Sequence, residues 1–375
     1  MEDEQHSLPR RSSASSASEG GRILIVRLSA LGDIVHALPV VAALGRHWPD
    51  AQVDWLVEEA YAPILALAGG LHRRVIVRAI ASRETPDSVT FGGSLGYARA
   101  VAFLRRQRFD VALDLQGLIK SAVWARLSGA KRVMGFHRDH LREPQAAALY
   151  TETVVPPSSA HVIQKNLALA SALRGGGNPS GLPESASTVE FPLRPTATPA
   201  TLDAIARAGG PGRYIVINPG AAWPNKRWPA DRFGELAASI ASRQGLGSIV
   251  TWGPSERELA ERVSRSSGGA VQLAPATTIS DLAVLLRDAA LVISGDTGPL
   301  HIAAAVGAPV VGLYGPTWPE RNGPWDPNDE VISRADVCVC HHKRRCLRGR
   351  PCIDDISVSD VLEAAERRLT RSSVV

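Results

Sequence analysis

RILIVRLSALGDIVHALPVVAALGR, residues Arg22–Arg46, decides how this chain folds. Arg22–Val26 is a short, nearly continuous apolar run, the pattern of a strand buried on both faces of a parallel sheet. Gly32 interrupts the run, and Ile34–Arg46 then carries apolar positions at helical spacing. The unit is strand, turn, helix, and it recurs downstream. Val53–Val57 reads as a strand and Tyr61–Leu67 as a helix, followed by a strand at Val75–Val77. Arg83–Gly96 is polar and glycine-rich, hence a loop. A helix at Tyr97–Arg108, a strand at Val111–Leu115 and a helix at Lys120–Leu127 continue the alternation. Such βα alternation predicts an α/β fold with helices on both faces of a parallel sheet.

The texture changes between Arg174 and Arg213, where GGGNPSGLPESAS and RPTATP carry turn residues and little periodicity. The alternation then restarts at Tyr214–Asn218 and runs to Val310–Tyr314. At 375 residues the chain exceeds the size at which a single core stops growing. The division expected is therefore an arm at 1–21, a first doubly wound domain at 22–175, a linker at 176–212, and a second domain at 213–357. A last helix, 358–375, is expected to pack back on the first domain. Two Rossmann-like domains in tandem place a ligand cleft at the carboxyl ends of their strands.

Composition narrows the class. Hydrophobic residues make up 45% and charged residues 21%, and no run approaches the roughly 18 apolar residues of a membrane span. The arm MEDEQHSLPRRSSASSASEG lacks the apolar centre of a secretory signal and reads as disordered. The net charge of +5 suits an anionic substrate or the anionic face of a membrane equally well. No nucleic-acid partner is expected. All four cysteines fall between Cys338 and Cys352, unlike a secreted disulfide scaffold, so the expected location is cytoplasmic. Their spacing, with His341 and His342 nearby, lacks the paired C-x2-C knuckles of standard zinc sites and reads as a thiol cluster.

Five loops after strands carry candidate chemistry. The first, Arg27–Asp33, has one glycine where a dinucleotide dehydrogenase needs G-x-G-x-x-G, which disfavours an oxidoreductase. Asp33 is read either as a helix cap or as a general base facing the cleft. In the second, Asp114–Ser121, Gln116, Lys120 and Ser121 offer donors to hydroxyls or phosphate. The third, Asn218–Pro229, holds Lys226 and Arg227, charges suited to a departing diphosphate. In the fourth, Thr251–Glu256, Glu256 either favours a helix N-terminus or accepts ribose hydroxyls. The fifth, Ser294–His301, runs from an apolar strand into a helix. There Thr297 and Gly298 open a helix N-terminus suited to phosphate, and Asp296 is placed for sugar hydroxyls.

In this order the loops resemble glycosyltransferase family 9, the lipopolysaccharide heptosyltransferases. The matched pieces are RLSALGDIVHALP, VDWLVEE, DLQGLIKS, REP at Arg142–Pro144, KRWP, Trp252–Gly253 and SGDTGPLHIAAAVGAPVVGLYGPT. WLVEE, QGLIKS and REP look most like the heptosyltransferase I branch. The resemblance implies a GT-B fold, with an acceptor-binding first domain and a second domain binding ADP-heptose. It further implies inverting transfer to a lipid-linked Kdo acceptor at the inner leaflet of the inner membrane, with no metal and no cofactor. Asp33 falls on the family's catalytic aspartate and Lys226 on its phosphate-contacting lysine. Asn218, Glu256, Asp296, Thr297, Gly298 and His301 are then expected to bind donor, and Ser29, Gly32, Gln116, Lys120 and Arg142 to bind acceptor. The alternatives are a relative with a heptosyltransferase II or III acceptor or another nucleotide sugar, and a non-catalytic sugar-nucleotide binder. The last would need neither Asp33 nor Lys226. One departure from the branch is Arg78–Arg83, which is less basic and aromatic than its counterpart and is followed by ETPDSVTFGG.

Overall fold

A computed structural model describes residues 21–78, 83–85, 88–93, 95–174, 189–341, 343–344, 346 and 348–372. The N-terminal arm up to residue 20, residues 79–82 of the Arg78–Arg83 departure, and His342 lie outside the described residues.

The first half begins with β1 (Arg22–Val26), α1 (Leu31–Val35) and α2 (Leu38–His47), then β2 (Gln52–Glu58), α3 (Ala62–Leu65) and β3 (Arg73–Val77). It continues through β4 (Arg83–Thr85), β5 (Ser88–Phe91), α4 (Gly96–Gln107), β6 (Val111–Asp114) and α5 (Ile119–Leu127). β7 (Arg132–Phe136), β8 (Glu152–Val154) and α6 (Val162–Ser171) complete it. The sheet order is β4-β5-β3-β2-β1-β6-β7-β8, parallel except for the β4–β5 pair. β1 is central, with Leu24, Ile25 and Val26 fully buried, as its uninterrupted apolar run requires.

Two expectations are corrected here. The single helix read at Ile34–Arg46 is two helices, and the first starts at Leu31. Pro39 has no N–H to give the carbonyl of Val35, so the chain turns at His36–Ala37 before α2 begins. The loop read at Arg83–Gly96 contains two short strands, β4 at the edge of the sheet and β5 between it and β3. Ser88-Val-Thr-Phe91 is β-branched and aromatic, and Val89, Thr90 and Phe91 are buried against β3.

Within the stretch read as a linker, α7 (Pro199–Arg207) forms. Pro199 sits in its first turn, and Thr201, Ala204 and Ile205 turn inward at helical spacing. The small residues of ATLDAIAR make that face faint in sequence. The second half then holds β9 (Tyr214–Asn218), α8 (Ala230–Gln244), β10 (Gly247–Val250), α9 (Arg257–Ser266) and β11 (Val271–Leu273). After them come α10 (Ile279–Arg287), β12 (Leu291–Gly295), α11 (Gly298–Ala305), β13 (Val310–Tyr314), α12 (Pro319–Asn322), β14 (Glu330–Ser333) and α13 (Val358–Ser372). This sheet is parallel, ordered β11-β10-β9-β12-β13-β14.

The last helix does not pack on the first half as expected. α13 lies on α8 and on β13 and β14, and its buried Val361, Leu362, Ala364 and Ala365 share a core with Ile215, Phe233 and Val311. Arg368 fixes it to Asp329 at 2.9 Å. The amphipathic face of α13 covers a sheet face of its own half. The halves meet elsewhere, through α1 against α11 and α3 against α10, and one continuous core runs from Ile25 and Leu38 to Leu285 and Ile302.

Candidate active site

β1 is followed directly by Arg27, a buried cation. Its guanidinium donates to the Leu115 carbonyl at the end of β6 and pairs with Asp33 at 2.8 Å. Its own carbonyl accepts from the indole of buried Trp55 at 3.1 Å. Gln116 closes the other side of the loop, its Oε1 accepting from the Leu28 N–H at 2.8 Å. The turn carrying Gln116 is held in turn by buried Asp114, which accepts from the Gln116 and Gly117 N–H groups, the Ser121 hydroxyl and the Tyr150 hydroxyl. Loop 27–33 is thus pinned from three strands.

Asp33 sits in the first turn of α1, not before it, and its Oδ2 lies 3.5 Å from the Ala30 N–H. Its side chain keeps a third of its surface exposed, facing the gap between the halves. Burial pushes its carboxyl up, but the guanidiniums of Arg27 and Arg321 outweigh that, and the net direction is down. An acid here is ionised and ready to accept a proton.

On the facing half, Asp296 follows β12 and is almost wholly buried. Both oxygens are fully engaged. Oδ1 accepts from His301 Nε2 and Asn322 Nδ2, each at 3.1 Å. Oδ2 accepts from Thr317 Oγ1 at 2.6 Å and from Lys226 Nζ. Burial would raise this carboxyl, yet the His301 hydrogen bond and the Lys226 charge hold it far below the carboxylate range. Expected as a ligand for sugar hydroxyls, Asp296 here organises four other side chains, so a donor hydroxyl must displace one of them. Lys226 keeps one donor direction free of this carboxylate and lies 5.0 Å from the Trp223 ring centroid.

Asn218, at the end of β9, is buried and ties this half together. Its amide donates to Gly220 O, Ser294 Oγ and Thr297 Oγ1, and its oxygen accepts from Thr251 Oγ1. Thr297 stands at the N-cap of α11 and Gly298 begins it. Glu256 precedes α9 and folds over the loop, where a Cβ on Gly220 would stand 2.2 Å from its Oε2.

The halves touch at Gly32, where a Cβ would lie 2.3 Å from His301 Cδ2, and at Gly298, where one would lie 2.6 Å from Leu31. Behind this contact three imidazoles stack edge to face. His36 is 4.4 Å from His301 and 5.4 Å from His161. His161 Nδ1 accepts from the Ile163 N–H, so its Nε2 donates to Gly323 O at 3.0 Å, bridging the halves. Burial lowers His161 to about 4 and takes His36 well below the usual histidine range.

The expected site residues therefore separate. Ser29, Gly32 and Asp33 lie together at the start of α1, and through the Gly32–His301 contact they adjoin Asp296 and Lys226. Gln116 is committed to the loop backbone, Lys120 pairs with Glu58 at the end of β2, and Arg142 is exposed. Arg27, His36, His161, Thr317, Arg321 and Asn322 were not among the expected residues. A lone arginine in a buried run was a usable signal for Arg27; for the others only the fold supplies the neighbours. Cys338, Cys340 and Cys352 are buried, with sulfur separations of 3.6 Å (Cys338–Cys340) and 3.5 Å (Cys340–Cys346). Among the described residues no group of three or more His, Cys, Asp or Glu is set to hold a metal ion.

Two wound domains joined at such a cleft have counterparts among solved structures. The E. coli heptosyltransferase WaaC with ADP-2-deoxy-2-fluoro heptose superposes with a TM-score of 0.70 at 24% identity, over 92% of this chain and 99% of that one. The family 9 glycosyltransferase of Veillonella parvula DSM 2008 gives 0.72 at 20% identity, over 95% and 100%. The fold is GT-B. Residues 98–350 match glycosyltransferase family 9 (heptosyltransferase), and the chain belongs to that family. Among curated relatives, lipopolysaccharide heptosyltransferase 1 of Pseudomonas aeruginosa is 30% identical over 330 residues, 87% of each chain. That of Escherichia coli K12 is 29% identical over 84% of this chain and 93% of its own.

Proposed function

We propose that this glycosyltransferase moves L-glycero-D-manno-heptose from ADP-heptose to a Kdo residue of the lipopolysaccharide inner core, with inversion at the anomeric carbon. Asp33 removes the proton from the attacking hydroxyl while the diphosphate leaves from the opposite face. Lys226 and the N-terminus of α11 take up the charge that develops on the diphosphate. Asn218 and Glu256 hold the donor's nucleotide side, and His301 holds Asp296. Ser29 and Gly32 line the acceptor side next to the base. The observation that carries the reading is the Gly32–His301 contact, which sets an ionised, partly exposed Asp33 beside the Lys226–Asp296 cluster. The names of the curated relatives support heptose as the sugar and lipopolysaccharide as the molecule that receives it.

The acceptor is lipid-linked on this reading, so the enzyme works in the cytoplasm at the inner leaflet. No described helix is long and apolar enough to cross a membrane. Support for peripheral contact comes from α5, where Ile119, Val123 and Leu127 form an exposed apolar row beside exposed Leu95 and Tyr97, with Arg99 and Arg126 at its border.

The test is transfer from ADP-heptose to Kdo2-lipid A against its already heptosylated form. Product only on the former is the expected result. Product only on the latter assigns a heptosyltransferase II or III type of acceptor, and no product on either overturns the reading.

A further inference from the structure

Arg321 and Lys165 stand on two helices in contact, one from each half. Arg321 lies on α12, which packs against α6, the helix of Lys165. Its position is fixed on both sides. The next residue, Asn322, donates to Asp296, and Gly323 accepts from His161 at the start of α6. Arg321 is exposed, Lys165 is half-buried, and among the described residues no carboxylate forms an ion pair with either. Asp33 feels the Arg321 charge but is already paired with Arg27. Lys165 is held below the usual lysine range by burial and by the Arg321 charge. Two like charges at one seam, neither held in an ion pair among the described residues, are stabilised when an anion enters between them.

We infer that Lys165 and Arg321 form an anion site beside Asp33 that takes the carboxylate of the acceptor sugar. The inference rests on the proposed Kdo acceptor, whose reacting hydroxyl and carboxylate belong to one sugar ring. A planar guanidinium fits a carboxylate with two parallel hydrogen bonds. The donor's diphosphate has its own cation in Lys226, beyond Asp296. With one cation from each half, the bound carboxylate bridges α6 and α12. The site thus orients the hydroxyl toward Asp33 and draws the halves together when the acceptor is present.

The experiment compares the full-length enzyme with Arg321→Gln and Lys165→Gln on Kdo2-lipid A, and on the same acceptor with its Kdo carboxyls methyl-esterified. Each variant is expected to raise the acceptor KM about tenfold or more, the size of a lost charge-assisted hydrogen bond. ADP affinity by calorimetry is expected to stay within about twofold. On the ester, wild type falls to the level of the variants and the variants lose nothing further. Arg321→Lys restores part of the loss. An unchanged acceptor KM overturns the inference, as does an ester penalty that adds in full to that of the variants. A fall in ADP affinity instead would assign the pair to the donor's diphosphate. Wild-type enzyme that ignores every Kdo acceptor removes the acceptor reading and this site together. Active wild type with indifferent variants removes the site alone.

Discussion

Gly32 lies against the imidazole of His301, with room for a hydrogen and none for a methyl group. The ring cannot swing away, because its Nε2 is bonded to Asp296 and its other side meets His36. Replacing Gly32 with Ala is therefore expected to spread α1 from α11 and move Asp33 away from the donor cluster. Overpacking of this kind costs about 1–3 kcal/mol. Turnover should fall roughly 10–100-fold while far-ultraviolet circular dichroism stays native. A Gly32→Ala enzyme with wild-type kcat would show that this contact does not set the catalytic geometry.

Asp33→Asn keeps the size of the side chain and removes the base. Turnover is expected to drop about 10²–10⁴-fold, with ADP affinity changed only a few-fold. Since Arg27 and Arg321 hold the acid below its ordinary value of 3.8, it carries no proton at pH 5 and above. The pH profile of kcat/KM should then show no limb from this carboxylate between pH 5 and 8. Retention of most activity by the Asn variant would remove Asp33 from the chemistry.

Lys226→Ala removes the cation nearest the proposed diphosphate and leaves Asp296 one donor short. ADP binding by calorimetry is expected to weaken about tenfold or more. Equal affinity in variant and wild type would take the lysine out of phosphate binding.

Two substitutions separate the parts of the Asp296 cluster. Asp296→Ala strips four donors of their acceptor and is expected to cost about 3–5 kcal/mol of stability, with loss of donor binding. Thr317→Val removes one bond to the same carboxylate and should cost on the order of 1 kcal/mol. Urea midpoints measure both, and equal shifts would mean that the four partners do not act through Asp296.

Acid should loosen the seam between the halves. The unfolded chain protonates His161 near 6.5, whereas the folded chain resists until about 4. In that window the unfolded state binds the extra proton, so stability is complete above about pH 6.5 and falls as pH drops toward 4. Allowing for the ring's partial exposure, the loss is about 1–2 kcal/mol. Urea midpoints at pH 7.5 and 5 should differ by this amount more in wild type than in His161→Asn. Identical pH dependence in the two would remove His161 as the cause.

Much of this architecture was legible because it is written in local pattern. β1, β9 and β12 are apolar runs, and Asp33, Asn218 and Asp296 sit at or just beyond their ends in that order. What failed was weakly marked or non-local. α7 hides its face in small residues, β5 is only four residues long, and α13 had two sheets to choose from with equal amphipathic claim. At the site, residue type was readable but engagement was not. Lys120 and Gln116 offered donors in sequence, and only the fold supplies Glu58 and the Leu28 N–H to consume them. Arg321 lies nearly three hundred positions from Asp33. Nothing local announces that they face one cleft.

The saturated carboxylate of Asp296 has a bearing on redesign. Its partners come from Lys226, His301, Thr317 and Asn322, so four separate segments take their positions from one side chain. A library that varies this carboxylate to change which sugar nucleotide is accepted would scramble all four at once and return mostly inactive protein. Glu256 and the tight glycine beneath it, Gly220, are bound to far fewer neighbours. Selection for a new donor base or ribose has more freedom there, while the Asp296 cluster is left as it stands.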